Sequence, residues 1–286
     1  MTELDFEFLC TFLKSRSGLA LTPEKRYLVE SRLSPVCRQF EMDDLPALVK
    51  GLKGGRNSIL EQAVVEAMTT NETFFFRDKG PFDLFRDVLL PHYLTARATT
   101  RRLRIWCAAA STGQEPYSLA MILSEASARL SGWKVEIVAT DISTEVLEKA
   151  KLGAYNQFEV QRGLPIQLLV KYFKQNGDQW QISPHIRSMV DYRPLNLIKD
   201  FAHLGVFDII YCRNVLIYFD KPTKSNVLQR LANAMAPDGS LFLGAAETVI
   251  GLTEALSPDP VNRGLYAKAA TFSGDVGAQM KLVASR

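Results

Sequence analysis

The sequence predicts a doubly wound α/β domain with a small antiparallel β-subdomain, preceded by a small all-helical domain. Three observations support this fold class: helical spacing of apolar residues near the start, alternation of strand and helix patterns from residue 80 onward, and an aromatic-flanked turn inside the second part. We therefore expect a helical domain at 1–70 and an α/β domain at 71–270, with an insertion at about 153–195 and a tail at 271–286.

The helical domain is predicted from apolar residues that recur at three- and four-residue intervals. Phe6, Leu9 and Leu13 share one face of a helix. A hydroxyl residue followed by proline at 22–23 favours another helix start, because proline suits the first helical position. The helical pattern ends in a polar break at 69–73, which places the domain junction near residue 70.

The α/β domain is predicted from compact apolar runs separated by helical patterns. Strand, helix and strand within about 40 residues form a βαβ unit, whose parallel strands require such a crossover. We expect a turn at Pro237-Asp238-Gly239 before the last of these strands. The predicted strands are 103–108, 135–139, 207–212 and 240–243, and the predicted helices are 117–128, 144–151 and 221–235.

The insertion is predicted from a helical stretch at 165–173 followed by Asn176-Gly177-Asp178. Aromatic-rich segments flank this turn on both sides, a pattern typical of an antiparallel hairpin.

Composition excludes several classes of protein. The chain has 286 residues, 47% of them hydrophobic, which is enough for a substantial buried core. The formal net charge is +3, with 34 Lys and Arg against 31 Asp and Glu. Because binding to phosphates requires clustered basic residues, we expect no nucleic-acid partner.

The sequence also carries few signals for export or metal binding. Acidic residues follow Met1, no basic region precedes an apolar one, and no run approaches 18 uninterrupted apolar residues. The 4 cysteines form no CxxC pair and the 3 histidines lie in unrelated contexts. We therefore expect a cytoplasmic protein with reduced thiols, no metal and no direct membrane insertion.

A candidate nucleoside site follows the first two strands. The segment WCAAASTGQEPY at 106–117 joins a strand to a helix, where doubly wound folds bind nucleotides, but it lacks GxGxxG. Glu115 accepts hydrogen bonds and would repel a pyrophosphate, whereas Asp141 stands where an acidic residue takes ribose hydroxyls. An adenosine without phosphates fits better than a dinucleotide. In the alternative interpretation, Asp141 caps a helix and Gly113 merely turns the chain.

Three motifs in order resemble the CheR-type chemotaxis receptor glutamate methyltransferases, over roughly residues 5–268. They are NETFFFR at 71–77, STGQEPYS at 111–118 and CRNVLIYF at 212–219, with PLNL at 194–197 between the last two. The resemblance implies an S-adenosylmethionine-dependent methyltransferase domain with a β-subdomain, behind a helical domain that docks on the receptor. It also implies methyl-ester formation on glutamates of the cytoplasmic helical domain of chemoreceptors, for adaptation in chemotaxis signalling.

The resemblance further assigns roles to individual residues. Arg77 and Tyr218 match residues proposed to assist catalysis, and Arg26 and Arg32 match basic positions that grip the receptor. Solvated surface arginines are the alternative interpretation of the last two. The implied contacts to S-adenosylmethionine are Asn71, Thr73, Arg77, Glu115, Asp141, Asn196, Leu197, Arg213 and Asn214.

The chemistry of the substrate agrees with this residue set. A glutamate side chain, with a reference pKa of about 4.3, is ionised at neutral pH and is itself the nucleophile, so no general base is needed. Some family members also bind a C-terminal receptor pentapeptide by strand addition to the β-subdomain and carry a longer loop there. The turn at 174–180 is short, so we expect independence from that peptide, with recruitment through the receptors themselves.

Two other functions remain open from the sequence. A methyltransferase for small molecules would share the α/β domain without needing a basic helical face. A non-catalytic sensor of the cofactor would not need both Arg77 and Tyr218. A nicotinamide dehydrogenase is disfavoured by the missing glycine triplet.

Overall fold

The computed structural model describes residues 1–55 and 57–269, so the expected tail at 271–286 lies outside the described residues. A π-helical turn, Phe85–Leu89, joins two of the helices, and short 3₁₀ segments occur elsewhere. The helices are α1 (Glu3–Ser17), α2 (Arg26–Gln39), α3 (Leu45–Lys53), α4 (Ser58–Met68), α5 (Gly80–Leu84), α6 (Leu90–Ala96), α7 (Gln114–Glu125), α8 (Thr144–Leu152), α9 (Gln157–Gln161), α10 (Ile166–Tyr172), α11 (Pro184–Arg187) and α12 (Lys221–Asn233).

The strands form a large sheet in the order β6-β2-β1-β7-β8-β10-β9 and a small one in the order β3-β5-β4. The five strands from β6 to β8 are parallel, and β10 and β9 add in antiparallel fashion. The strands are β1 (Arg102–Cys107), β2 (Lys134–Asp141), β3 (Ala154–Asn156), β4 (Phe173–Asn176), β5 (Gln179–Ile182), β6 (Val190–Pro194), β7 (Phe207–Cys212), β8 (Met235–Leu243), β9 (Leu256–Pro258) and β10 (Leu265–Lys268).

The large sheet is covered on both faces, as the doubly wound class requires. Every residue of the central strand β7 is buried, which explains its nearly continuous apolar sequence. Two separate clusters of buried side chains pack on the sheet, one containing Ile105 and Ile209 and the other containing Trp106 and Ile210. Successive strands are added on one side of β1 as far as β6 and on its other side from β7 onward, and the carboxyl ends of the parallel strands β1, β2 and β7 meet at one edge.

Helices α1 to α4 build their own core. Phe6, Leu9 and Leu13 are buried in it, as their spacing predicts, together with residues of α2, α3 and α4. Ile142, from the loop after β2, also packs against this core. The helical part therefore contacts the α/β part directly beside the carboxyl end of β2.

The small sheet confirms the predicted antiparallel hairpin, and its position corrects the boundary of the insertion. Strands β4 and β5 are joined through Gly177 and Asp178, with Gly177 at φ +58°, a left-handed conformation that favours glycine. The expected boundary at residue 195 was wrong, because Val190–Pro194 pairs with β2 in the large sheet.

The expected turn at Pro237-Asp238-Gly239 was also wrong. These residues belong to β8, and the β7–β8 register shifts between the pairs Phe207–Met235 and Ile209–Ser240. Residues 236–239 therefore form a bulge in β8, and the proline and the glycine lie outside the regular ladder of paired residues.

Candidate functional site

One pocket lies at the carboxyl ends of β1, β2 and β7, where the helical part covers the edge of the sheet. Ser17, Leu19, Val65 and Met68 line it from the helical side. Every residue that the sequence predicts as a cofactor contact lines the same pocket, and so does Tyr218: Asn71, Thr73, Arg77, Glu115, Asp141, Asn196, Leu197, Arg213 and Asn214.

The loop after β1 brings the backbone close to this pocket. Gly113 has φ +94°, and a Cβ there would lie 2.7 Å from the Tyr192 hydroxyl and 2.9 Å from the Ala150 Cβ. Glycine is therefore required by both conformation and space. The Tyr155 hydroxyl, on β3 of the small sheet, donates to the carbonyl of Thr112 at 2.7 Å. The insertion is thus tied to the candidate cofactor loop.

Asp141 is a buried carboxylate at the end of β2. Its Oδ2 accepts the N–H of Ser111 at 2.8 Å, and its Oδ1 accepts the N–H of Ser143 at 3.1 Å. Ser143, not Asp141, caps α8, since its Oγ accepts from Val146. Burial raises the pKa of Asp141 despite these hydrogen bonds. Each carboxylate oxygen keeps a further lone pair for a hydroxyl donor in the pocket.

Glu115 and Arg213 form a buried ion pair in the wall of the pocket. Arg213 Nη1 donates to Glu115 Oε2 at 2.9 Å, and its Nη2 donates to Asp78 Oδ2 at 2.7 Å and to the Arg77 carbonyl at 3.0 Å. The Arg213 Nε is buried without a partner among the described residues. Burial raises the pKa of Glu115, and Arg213 opposes this rise. Arg213 therefore also positions the backbone that carries Arg77.

The two candidate catalytic residues both line the pocket and are held by different segments. Arg77 Nη1 donates to the Glu72 carbonyl at 2.6 Å, and its guanidinium carbon is 5.6 Å from the centre of the Phe74 ring. Tyr218 is half-buried at the end of the 3₁₀ segment Leu216–Tyr218. Its carbonyl accepts the N–H of Ala20 at 2.9 Å, so the segment after α1 holds this loop in place.

Two of the asparagines that line the pocket also form hydrogen bonds within the protein. Asn196 Nδ2 donates to the Arg16 carbonyl at 2.6 Å, and its Oδ1 accepts the N–H of Ile198 at 3.2 Å. The carbonyl of Asn71 accepts the Ser111 hydroxyl at 2.9 Å. Both residues therefore join separate segments around the pocket.

Arg26 and Arg32 lie outside the pocket, and neither is simply solvated. Arg26 donates to Glu3 at 2.8 Å and to the Met1 carbonyl. Arg32 Nη1 donates to the carbonyls of Met68 and Thr69, each at 2.9 Å. Both guanidinium groups thus donate hydrogen bonds to backbone carbonyls of the protein itself, and those from Arg32 go to the segment just before Asn71. Receptor docking by these arginines stays a prediction.

Sequence reasoning missed two acidic residues that organise the site. Glu66 on α4 accepts the backbone N–H of Thr144 at 2.7 Å and its hydroxyl at 2.8 Å, so it binds the start of α8. Glu247 accepts hydrogen bonds from the loop that carries Asn214. The only local signal for Glu247 is its place three residues after Gly244, immediately beyond a buried strand.

The residues of the pocket fit an adenosyl amino acid that carries a positive charge. Two buried carboxylates offer acceptors for hydroxyl and ammonium groups, the arginines offer donors for a carboxylate, and apolar side chains offer a surface for a purine. Fold and site together define a methyltransferase domain that binds S-adenosylmethionine.

The comparisons with known proteins identify the family. The model for the CheR methyltransferase, SAM binding domain, matches residues 71–264, and that for the CheR methyltransferase, all-alpha domain, matches residues 4–69. The chain belongs to the CheR methyltransferase family. Its cofactor is S-adenosylmethionine.

The similar curated proteins carry names that agree with this family. Chemotaxis protein methyltransferase 1 of Vibrio cholerae is 41% identical over 94% of this chain and 98% of its own length. The protein of the same name from Pseudomonas aeruginosa is 43% identical over 87% and 92%, respectively. Chemotaxis protein methyltransferase of Escherichia coli is 36% identical over 86% and 85%. In the part of the chain that the structure describes, no helix is long and apolar enough to cross a membrane.

Proposed function

We propose that this protein transfers a methyl group from S-adenosylmethionine to glutamate side chains in the cytoplasmic helical domain of chemoreceptors, forming methyl esters for adaptation. The observation that carries this proposal is the presence of Arg77 and Tyr218 in the same pocket as Glu115 and Asp141. When bound, the cofactor supplies an electrophilic sulfonium methyl. The incoming glutamate needs no general base, because it is ionised at neutral pH.

The residues of the chain act by orientation and by excluding water. Arg77 is placed to orient the substrate carboxylate, and the Tyr218 hydroxyl to position the substrate oxygen or the sulfonium. Asp141 and Glu115 hold the cofactor through its hydroxyl and ammonium donors. Because attack of a carboxylate on a sulfonium neutralises both charges, desolvation and proximity favour the reaction.

The helical part is the proposed receptor-docking domain. Arg26 and Arg32, the two residues proposed to contact the receptor, both lie on α2. The methyltransferase acts at membrane-bound receptors through this contact. The two-residue turn between β4 and β5 is the basis for proposing that no receptor pentapeptide is required. Calorimetry with such a peptide tests this point, and micromolar binding would overturn it.

The proposed activity is tested with methyl-labelled cofactor and cytoplasmic fragments of candidate receptors. We expect label on glutamates as base-labile esters. Arg77→Ala and Tyr218→Phe should each lower kcat more than cofactor affinity. Arg102→Ala, at the exposed amino end of β1 and away from the pocket, is the matched control and should retain turnover. Unchanged methylation in both site variants would remove these two residues from the mechanism, and label found only on small molecules would contradict the substrate.

A further inference from the structure

Glu247 binds the site loop through backbone hydrogen bonds. Its Oε2 accepts the N–H groups of Gly244 at 2.6 Å and Asn214 at 2.8 Å. Its Oε1 accepts those of Val215 at 2.9 Å and Ile217 at 3.3 Å. The side chain is buried, with 8% of the residue exposed. One carboxylate therefore satisfies four backbone donors from the loops that follow β7 and β8.

The surrounding backbone is shaped around this carboxylate. Asn214 has φ +58°, a left-handed conformation that asparagine adopts more readily than most residues other than glycine. A Cβ on Gly244, the residue after β8, would lie 2.8 Å from Asn214 Nδ2, 2.8 Å from Glu247 Oε2 and 2.9 Å from the backbone N of Asn214, so a side chain there would push the two loops apart. The conformation at 214–217 depends on contacts from outside its own segment.

The loop that Glu247 binds contributes directly to the pocket. Asn214, Val215 and Tyr218 line it, whereas Glu247 does not. We propose that Glu247 is a positioning residue for methyl transfer, whose carboxylate fixes the 214–218 loop so that Asn214 and Tyr218 face the cofactor and substrate. The part that concerns turnover rests on the proposed function.

Glu247→Gln is the direct test, because it preserves size while replacing one acceptor oxygen with an NH₂ group that faces backbone donors. Amide exchange at 214–217 should accelerate at least about tenfold, and affinity for S-adenosylhomocysteine should fall about fivefold. The kcat at saturating cofactor should fall by tenfold or more, on the order expected for a displaced reacting group. Glu247→Asp, which keeps the charge, should recover part of each effect.

Asp208→Asn is the matched control. Asp208 is also buried, at 9% exposure, but it lies at the amino end of β7, where it binds Arg97 and Arg104. This variant should unfold more easily while its folded fraction keeps normal loop exchange, cofactor affinity and kcat. If Glu247→Gln behaves in the same way, the positioning role is wrong.

Gly244→Ala decides the question should Glu247→Gln fail to fold, since it disturbs the same contacts without changing a charge. Faster amide exchange at 214–217 together with weaker cofactor binding supports the positioning role of Glu247. Exchange rates and a cofactor affinity equal to those of the unsubstituted protein would overturn it. Exchange and calorimetry need no receptor. A protein that methylates no receptor, yet shows these two effects, would therefore contradict the proposed function and leave the positioning role standing.

Discussion

Charged side chains cluster at both ends of strand β7, and the cluster at the carboxyl end is the more deeply buried. At the amino end, Arg97 donates to Asp208 at 3.0 Å and to Asp238 at 2.8 Å and 2.5 Å, and the guanidinium group lowers the pKa of Asp238. At the carboxyl end, burial raises the pKa of Glu115 although Arg213 lies beside it. Arg97 therefore favours the ionised form of Asp238, whereas burial disfavours the ionised form of Glu115.

This difference indicates where the fold gains stability and where it prepares a binding site. Charges that are fully paired contribute to folding, but acceptors held in a partly desolvated pocket favour a ligand with donors and a positive charge. Left-handed Ser111 and Asn214, at φ +49° and +58°, add backbone strain at the same end of the sheet. The amino end is therefore predicted to be structural and the carboxyl end functional.

The largest expected effect is at the amino end. Arg97→Met should lower the free energy of unfolding by about 2–3 kcal/mol, because it leaves Asp208 and Asp238 without their cation. Denaturant unfolding measures this loss. Calorimetry on the folded variant should give an unchanged affinity for S-adenosylhomocysteine. A weakened affinity would contradict the prediction that the amino end of β7 is structural and only the carboxyl end binds the cofactor.

A smaller effect in free energy is expected for Glu115→Gln. The amide oxygen can still accept from Arg213, but the negative charge near the cofactor is lost. Cofactor affinity should fall at least tenfold, about 1.4 kcal/mol, while the unfolding midpoint changes little because Arg213 keeps its ion pair with Asp78 at 2.7 Å. A large loss of stability with normal cofactor affinity would show that Glu115 is structural.

The smallest effect is expected for Tyr155→Phe, which removes only the hydroxyl that donates to the Thr112 carbonyl. A lost neutral hydrogen bond of this kind costs about 1 kcal/mol. Cofactor affinity should fall about two- to fivefold, as measured by calorimetry. Tyr93→Phe, at the amino end, is the control, because its hydroxyl contacts the Asp208 and Asp238 carbonyls instead. Equal cofactor affinities in the two variants would exclude a link from the small sheet to the cofactor loop.

Much of the site could be predicted from sequence because its residues occur in short motifs at strand ends. Asn71, Glu115, Asp141 and Arg213 are far apart in the chain, yet β topology brings the ends of their strands and loops together. The large parallel strands were also predictable, since buried strands give continuous apolar runs.

The features that the sequence does not predict are short strands and hydrogen bonds between segments that lie far apart in the chain. Strands β9 and β10 have only 3 and 4 residues, too short for a periodic pattern. Arg32 donates to carbonyls of α4 and of the junction after it, contacts that no sequence pattern indicates, and receptor docking by Arg32 stays a prediction. The hydrogen bonds of Glu247 go to backbone N–H groups, which every residue except proline carries, so no residue type marks them.

The most direct test of the functional end is the affinity for S-adenosylhomocysteine measured from pH 8 down to pH 5. The pKa values of Glu115 and Asp141 are raised, so both carboxylates take up protons above the ordinary range for such groups, and acceptors for the ammonium and hydroxyl donors are lost. That protonation itself favours the free folded state, because the pKa of each group is higher there than in the unfolded chain. Stability from Asp238 and Glu136, whose pKa values are lowered by Arg97 and Arg104, disappears only at lower pH. We therefore predict that affinity declines while the protein remains folded, and an affinity that stays constant until the protein unfolds would contradict the account.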